Sequence, residues 1–285
     1  MPDRHLADAG RSRAGSTFDG VKRIVHISDL HLGRNRETDD CAARLAGELL
    51  APSIDCVVVT GNLTHNGKRD EWALFQDLFA PLLRERRLIA VPGERDRRGD
   101  DLGWAIMPGP RVQATSRPGL YIVRVNSTAG RSGVRAALDD TDLKAIDVAL
   151  AAAPLDSVSV LALHHDLVRL PAGRGLDRLT SWWEYSTAPA LGRGAELLKR
   201  LEGRCDLVLH GHRSNPRGTS VAGGARPLSM FSAGSSTELG HAYVFTHDRV
   251  GRLRGGAMWL DVRALRQLGD LAPPPNRPVP SLMVA

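Results

Sequence analysis

The sequence has no long apolar run. Nothing in it approaches the roughly 20 apolar residues that a membrane-spanning helix needs, so we expect no contact with a membrane. Residues 1–20 also lack the apolar stretch of a secretory signal peptide, and we expect a disordered leader there. Residues 263–285 contain PPPNRPVP, which cannot continue a helix or a sheet, so we expect a loose Pro-rich tail. One folded domain is therefore predicted over residues 21–262.

Cysteine is scarce. Cys41, Cys56 and Cys205 are far apart and odd in number, which does not suit a disulfide framework. Reduced thiols are typical of a reducing compartment, and we therefore expect a cytoplasmic protein.

Lysine and aromatic residues are also few. The chain has a net charge of +6, but only four of its 38 basic residues are lysines, and its arginines are mostly scattered. Aromatic residues make up 5% of the sequence and are not interleaved with the basic ones. A solvated basic surface is therefore favoured over a nucleic-acid interface.

Apolar runs of strand length alternate with helical patterns along most of the chain. Strands are predicted at residues 23–28, 56–60, 87–92, 120–126, 158–163 and 206–210. Helices are predicted at residues 39–50, 70–86, 139–152 and 189–202, with Pro81 expected to kink or divide the second. This alternation is typical of βαβ units with parallel strands in an α/β protein. Beyond residue 218, short strands joined by turns predict an antiparallel portion.

Polar side chains that can bind metal follow five of these strands. They are Asp29 and His31, then Asn62, then Glu94, Arg95 and Asp96, then His164 and His165, and finally His212. Ligands of open α/β sheets bind beyond the carboxyl ends of the strands, so the ordered set predicts a site. A lone histidine such as His26 or His65 is more often a satisfied core or surface residue, and we interpret both that way. The glycines at 61, 93 and 211 could simply end strands.

The ordered set resembles the calcineurin-like metallophosphoesterases, in the branch related to bacterial cyclic-nucleotide phosphodiesterases. Five motifs carry the resemblance, at Asp29 to His31, Gly61 to Asn62, Gly93 to Asp96, His164, and Gly211 to Ser214. The resemblance covers roughly residues 21–262. It implies a four-layer α/β/β/α sandwich in which two mixed sheets face each other and helices lie outside.

The resemblance also implies a site for two divalent ions that clamp the attacking and leaving oxygens of a phosphoric ester. The metal-binding positions of the family fall here on Asp29, His31, Asn62, Glu94, His164 and His212. His164 is preferred over His165 because it follows the strand directly. Which of the two faces the site stays open.

Four of the motif positions depart from the family pattern. Asn62 replaces the bridging aspartate, and its amide nitrogen cannot bind a cation. Ser214 replaces a histidine ligand, and Glu94 replaces an asparagine. Arg95 replaces the catalytic histidine, and its guanidinium stays protonated and cannot act as a general acid near neutral pH. No catalytic residue of the family is therefore intact.

Two arrangements of this site stay open. In one, a single divalent ion such as Mn, Fe or Zn is held by Glu94, His164 and His212, with or without the Asn62 oxygen. In the other, no metal binds, and Arg95 pairs with Asp29 or Glu94 in place of the missing positive charge. The second arrangement accounts better for the arginine, because a guanidinium beside two metal ions is repelled.

Three functions follow from these arrangements. The leading hypothesis is a pseudoenzyme, a weak or inactive phosphoesterase that binds a phosphorylated small molecule or a protein partner. Arg95 and Arg213 are then the phosphate-binding residues. The alternative is an active phosphodiesterase or phosphomonoesterase that uses a single divalent metal. Nucleic-acid binding through the arginine surface is the third and is not favoured.

Overall fold

A computed structural model describes residues 21–128, 136–168, 191–221, 226–270, 275 and 281–282. The leader predicted at residues 1–20 lies outside the described residues, as do residues 189–190 of the last predicted helix. Of the helices described, none combines the length and the hydropathy that crossing a lipid bilayer requires.

The first sheet has five strands in the order β11-β10-β1-β2-β3. Their bounds are β1 Lys22–Ile27, β2 Cys56–Thr60, β3 Leu88–Val91, β10 His241–His247 and β11 Met258–Asp261. The first three are parallel, and β10 is antiparallel to both of its neighbours. The antiparallel portion predicted near the end of the chain is thus present in this sheet.

The second sheet has seven strands in the order β12-β8-β9-β7-β6-β5-β4. Their bounds are β4 Val112–Arg117, β5 Leu120–Val125, β6 Val158–Ala162, β7 Leu207–His210, β8 Arg217–Val221, β9 Leu228–Ser232 and β12 Ser281–Leu282. The four central strands run parallel. Strand β4 is antiparallel to β5, whereas β8 is antiparallel to β9 and parallel to β12. Both sheets are therefore mixed.

Helices cover the outer faces of the two sheets. They are α1 Arg36–Glu48, α2 Arg69–Leu78, α3 Ala80–Arg84, α4 Gly103–Ile106, α5 Asp140–Ala151, α6 Gly194–Leu201 and α7 Ser236–Leu239, with 3₁₀ turns at Arg95–Arg97 and Val262–Asp270. The predicted second helix is divided between α2 and α3, and Pro81 lies in the first turn of α3, where its missing N–H costs no hydrogen bond.

Three apolar clusters separate four layers. Val58 belongs to the cluster between the two sheets, whereas Val57 and Val59 of the same strand face the helices outside. Burial on both faces explains why the central strands read as continuous apolar runs. The third cluster joins the seven-stranded sheet to α5 and α6 through residues such as Ile146 and Leu197. The four-layer α/β/β/α sandwich of two mixed sheets is confirmed.

Two local predictions differ from the structure. Strand β4 was not predicted, because it is a half-exposed edge strand with few apolar residues. The prediction of a loose tail from residue 263 was wrong for its first part, since the turn Val262–Asp270 buries Leu265 and Leu268 completely in the core beside α1. Residues 281–282 also extend the second sheet by pairing with β8.

Candidate metal and phosphate site

An open cavity of about 500 Å³ lies where the loops after β1, β2, β3 and β7 meet. Its lining consists of Asp29, His31, Arg34, Asn62, His65, Glu94, Arg95, His212, Arg213, Ser214, Ser235 and Glu238. His164 lies directly behind it, fully buried and in contact with Glu94. The structure thus brings together every residue that the sequence proposed for metal or phosphate binding.

Sharp turns place four of these residues. The backbone φ angles of Asp29, His31, Asn62 and His212 are +53°, +50°, +51° and +68°. Left-handed backbone is uncommon for residues with a Cβ and costs roughly 1 kcal/mol or more at each position. Backbone hydrogen bonds between the first two loops hold the turns, from Asp29 N to Gly61 O at 3.0 Å and from His31 N to Asn62 O at 2.9 Å. Strain is therefore concentrated at the candidate site.

Asp96 ties two of the loops together from below. Its buried carboxylate accepts hydrogen bonds from the N–H groups of Leu63, Thr64 and Gly93, at 3.3, 2.8 and 2.8 Å. Burial raises the pKa of this carboxyl, although the hydrogen bonds oppose the rise. Asp96 does not line the cavity, so its role in the structure is to position the loops after β2 and β3.

Glycine is required at positions 211 and 93, because neither position has space for a Cβ atom. A Cβ at Gly211 would lie 1.9 Å from Ser28 Oγ and 2.7 Å from Asp29 Oδ2. A Cβ at Gly93 would lie 2.3 Å from Asn62 Oδ1. These glycines therefore do more than end strands, because they let neighbouring loops approach until the site residues touch.

We call Asp29, His31 and Ser214 the Asp29 side of the cavity. The Asp29 carboxylate accepts hydrogen bonds from Ser28 Oγ at 2.7 Å, the His212 backbone N–H at 3.0 Å and Asn62 Nδ2 at 2.9 Å. Burial raises the pKa of this carboxyl, although the charge of His164 and the hydrogen bonds from Ser28 and Asn62 oppose the rise. His31 Nε2 lies 3.8 Å from Asp29 Oδ1. Burial and the nearby Arg95 lower the pKa of His31 to about 3, so this ring is neutral.

We call Glu94, His164 and His212 the Glu94 side. One ligand atom from each lies within 4.8 Å of the others. Glu94 Oε2 is 2.5 Å from His164 Nε2 and 3.4 Å from His212 Nδ1. The opposite nitrogen of His164 donates to Thr60 O at 2.7 Å, an arrangement that fixes the ring and aims Nε2 at Glu94.

The Glu94 side carries an ion pair. Burial opposes charge on His164, but Glu94 raises the pKa of its imidazole to about 10. Burial likewise opposes charge on Glu94, but the His164 cation and hydrogen bonds from both histidines hold its pKa well below the usual range. The two carboxyl groups of the cavity therefore shift in opposite directions, up at Asp29 and down at Glu94.

The Asn62 amide lies between the two sides. Its Oδ1 accepts the backbone N–H of Arg95 at 2.9 Å. That N–H can only donate, so the amide NH₂ must face the carboxylates. It donates to Asp29 Oδ1 at 2.9 Å and to Glu94 Oε1 at 3.1 Å. A hydrogen-bond donor thus occupies the place where the resemblance implied a bridging anion.

The expected pairing of Arg95 with Asp29 or Glu94 was wrong for this structure. Among the described residues, Arg95 makes no ion pair with a carboxylate, and its Nη1 donates to the His65 carbonyl oxygen at 3.4 Å. The carboxylates have other partners, since Glu94 faces His164 and Asp29 is held by neutral donors. Arg95 instead lines the cavity beside His31 and His65.

His65 is a site residue that the sequence interpretation missed. It lines the cavity with its ring centroid 5.7 Å from that of His31. Burial and Arg95 lower its pKa. His26, interpreted in the same way from the sequence, is indeed a core residue, fully buried with Nε2 2.8 Å from Thr60 Oγ1. The two histidines differ in position, because His26 lies within β1, whereas His65 lies in the loop after β2 that reaches the cavity.

Arg213 is less available than the sequence suggested. Its guanidinium Nε contacts the Asp166 carboxylate, and both side chains are at most 10% exposed. His210 Nδ1 lies 2.9 Å from the other Asp166 oxygen. Although Arg213 reaches the lining, this buried network holds it. Asp166 thereby joins the loop after His164 to the loop that carries His212.

The structure also shows which of His164 and His165 faces the candidate site. His165 is buried behind the site, with Nδ1 2.8 Å from Ser127 Oγ, and burial lowers its pKa well below the usual value. His164, not His165, points its free ring edge at Glu94.

The donor set fits one divalent ion better than two. On the Glu94 side, a carboxylate and two imidazoles converge, and His212 Nε2 is buried without a hydrogen-bond partner among the described residues. This is a set that one transition metal accepts. On the Asp29 side, three donors already occupy the carboxylate, and the Asn62 NH₂ points between the two sides. A second ion therefore does not fit the residues present.

The family model for calcineurin-like phosphoesterases matches residues 22–248. Among solved structures, the chain is similar to a purple acid phosphatase from yellow lupin (Lupinus luteus) seeds, with a TM-score of 0.58 and 13% identity over 86% of this chain. It spans 55% of the length of that protein. A dimetal phosphatase from Danio rerio has a TM-score of 0.55 and 12% identity, covering 86% of this chain and 100% of its own. No curated protein matches the sequence at a significant level. At these identities the structural likeness shows the fold.

Proposed function

This chain belongs to the calcineurin-like phosphoesterase family, whose members normally use divalent metals. From that premise, we propose that it binds a phosphorylated ligand and hydrolyses it little or not at all. The proposal makes it a pseudoenzyme of the family. The Asn62 amide is the observation that carries it.

Asn62 replaces an anion with a hydrogen-bond donor. Its NH₂ contacts Asp29 and Glu94 at 2.9 and 3.1 Å, so the two carboxylates are joined through an amide rather than through cations. Two divalent ions at this spot would face each other without a shared anion and with an N–H group between them. Arg95 adds to the effect, because it cannot donate a proton to a leaving group near neutral pH.

Arg95 supports binding of a phosphate. Among the described residues it has no carboxylate partner, whereas Arg34 and Arg213 each contact one. A guanidinium in a cavity can hold two oxygens of a phosphate at once. Phosphate binding therefore rests mainly on Arg95, with Arg213 as a second candidate whose side chain is held by Asp166.

The decisive test is hydrolysis of a chromogenic phosphodiester and a chromogenic phosphomonoester by the purified protein in Mn²⁺. We expect turnover far below the 1–10³ s⁻¹ that is typical of enzymes. Elemental analysis after purification without chelators should find well under one metal per chain. Turnover within the enzymatic range that disappears in His164→Ala would overturn the pseudoenzyme proposal.

One observation favours a second candidate function, a phosphoesterase with a single metal. Glu94, His164 and His212 would hold the ion, and the Thr60 carbonyl orients His164 as it would orient a ligand. A divalent ion there supplies polarisation of a phosphoryl oxygen. One tightly bound metal per chain, together with Mn²⁺-dependent turnover, would select this candidate.

We also propose a cytoplasmic location. Cys41, Cys56 and Cys205 are unpaired and buried. Burial raises the thiol pKa of Cys56 and Cys205 to about 12, so these thiols are inert. A fluorescent fusion visible in the cytoplasm checks the proposal, and recovery of the protein outside the cell would contradict it.

A further inference from the structure

A charged pair lies at the rim of the cavity, apart from the candidate metal residues. Arg34 follows β1, Glu238 lies in α7, and Arg34 Nη1 donates to Glu238 Oε1. Both side chains line the cavity, and each is 43% exposed. A ligand that enters the cavity can therefore reach both charges.

The rim pair has a fixed position relative to the rest of the site. Ser235 Oγ donates to the backbone oxygen of Asp29 at 2.9 Å, and Thr237 Oγ1 donates to that of Leu30 at 3.0 Å. These bonds fasten α7 to the loop that carries Asp29. Glu238 is therefore placed by the same loop that builds the site.

The cavity has room for more than a phosphate. Its volume of about 500 Å³ lies within the range of small-molecule sites, roughly 300–1,000 Å³. Within the described part of the chain, its lining is polar or charged throughout and contains no large apolar side chain and no Phe, Tyr or Trp. The rings in its lining are the imidazoles of His31, His65 and His212, which are smaller and more polar than a Phe, Tyr or Trp ring.

We propose that the ligand of this cavity is a phosphorylated polyol, such as a glycerol phosphate or a sugar phosphate. Its phosphate lies at Arg95, and its hydroxyl groups contact Arg34 and Glu238. The inference rests on the proposed function, which supplies the phosphate end.

Hydroxyl groups match the rim pair because they both donate and accept hydrogen bonds. One hydroxyl donates to Glu238 while the same or a neighbouring hydroxyl accepts from Arg34. A second anionic group is repelled by Glu238, and an amine is repelled by Arg34. An apolar or aromatic group displaces water from both ions and returns no hydrogen bond, which weakens binding.

Calorimetric titration of the chelator-treated full chain tests the proposal with three probes, namely inorganic phosphate, glycerol 3-phosphate and phenyl phosphate. We expect glycerol 3-phosphate to bind about tenfold more tightly than phenyl phosphate. Glu238→Ala should remove most of that preference, measured as the ratio of the two dissociation constants. Because the variant removes a negative charge from the cavity and frees Arg34, its affinity for inorganic phosphate should rise. The matched control is Asp40→Ala, which breaks an exposed Arg36–Asp40 pair (3.9 Å) outside the cavity and should change neither.

The outcomes separate the two proposals. If inorganic phosphate binds but phenyl phosphate binds as tightly as glycerol 3-phosphate, the polyol inference is wrong and the phosphate site stands. The same holds if Glu238→Ala leaves the preference intact. If none of the three probes binds, the phosphate site itself is wrong, and both proposals are overturned.

Discussion

The two sides of the cavity are built from similar residues but are held by different forces. On the Asp29 side, a buried carboxylate is surrounded by Ser28, Asn62 and the His212 N–H, and its pKa is raised by burial. On the Glu94 side, a partly exposed carboxylate faces an imidazolium, and its pKa is lowered despite burial. The first side is a closed hydrogen-bonded structure, whereas the second keeps a charge pair that a cation could replace.

The difference supports our proposal that the Asp29 side does not hold a metal ion, although the fold of the family is kept. Once an amide stands at position 62, the Asp29 side is satisfied by hydrogen bonds alone and keeps its loops in place. The Glu94 side retains residues that can bind a metal, because no hydrogen bond within the described part of the chain occupies His212 Nε2.

Gly211→Ala tests whether close packing closes the Asp29 side. The added Cβ would lie 1.9 Å from Ser28 Oγ and 2.6 Å from Thr60 O, so the loops after β1 and β7 must separate. We expect the free energy of unfolding of the chelator-treated protein to fall by about 3 kcal/mol or more. Urea denaturation measures the loss.

The control for this variant is Gly47→Ala. Gly47 lies in α1, where a Cβ would have only one neighbour, Arg266 Nη2 at 3.8 Å. Alanine there should stabilise the helix by about 0.5–1 kcal/mol. Equal stability of the two variants would show that the Asp29 side is not closed by packing.

Glu94→Ala tests whether metal affinity resides on one side. Titrated with Mn²⁺, the native protein should take up no more than one ion per chain. Glu94→Ala should weaken that binding by about 100-fold, while His31→Ala on the other side should change it less than about threefold. Calorimetry or metal-sensitive fluorescence measures both. A larger loss in His31→Ala would reverse the comparison.

These residues also show how much of the fold and of the site could be predicted from the sequence. The strands could be predicted because runs such as Val57 to Val59 are buried on both faces. Convergence of the motifs followed, since parallel strands deliver their carboxyl ends to one edge. The hydrogen-bond direction of Asn62 and the partner of Arg95 could not be predicted, because both depend on contacts between segments about 30 residues apart.

The C-terminal segment shows the same limit. Its prolines predicted a loose tail, but Leu265 and Leu268 are buried by packing beside α1, which lies more than 200 residues earlier in the chain. Composition alone does not reveal such a partner.

The His164–Glu94 pair predicts a loss of stability as the pH rises above neutrality, whereas His31 on the Asp29 side, with its pKa lowered to about 3, contributes with the opposite sign and mainly below pH 7. The pKa of His164 is raised in the fold to about 10, above its unfolded value of about 6.5, so the fold binds a proton that the unfolded chain releases. The stabilisation is complete below the unfolded pKa and is lost as the pH rises toward the folded one. Between about pH 7 and pH 8.5 we expect the contribution of His164 to the free energy of unfolding of the metal-free protein to fall by about 2 kcal/mol.

Denaturation of His164→Gln over the same range provides the control. Cys56 and Cys205 begin to ionise in the unfolded chain near the upper end of this range, but the variant keeps both thiols, so their contribution is the same in the two proteins. The variant should lose much less stability than the native protein as the pH rises. An unchanged slope would assign the titration to another group.

Arg95→Lys tests how much the Arg95 guanidinium contributes to phosphate binding. Arg95 stands at the position where the resemblance implied a catalytic histidine, and the expected effect is small. Lysine keeps the charge but cannot present two parallel N–H groups to a phosphate. We expect the affinity for inorganic phosphate to fall about tenfold, with the free energy of unfolding unchanged. Arg98→Lys is the matched control, because Arg98 is exposed and does not line the cavity. If both variants bind phosphate as the native protein does, the anion is not held by two parallel N–H groups of Arg95.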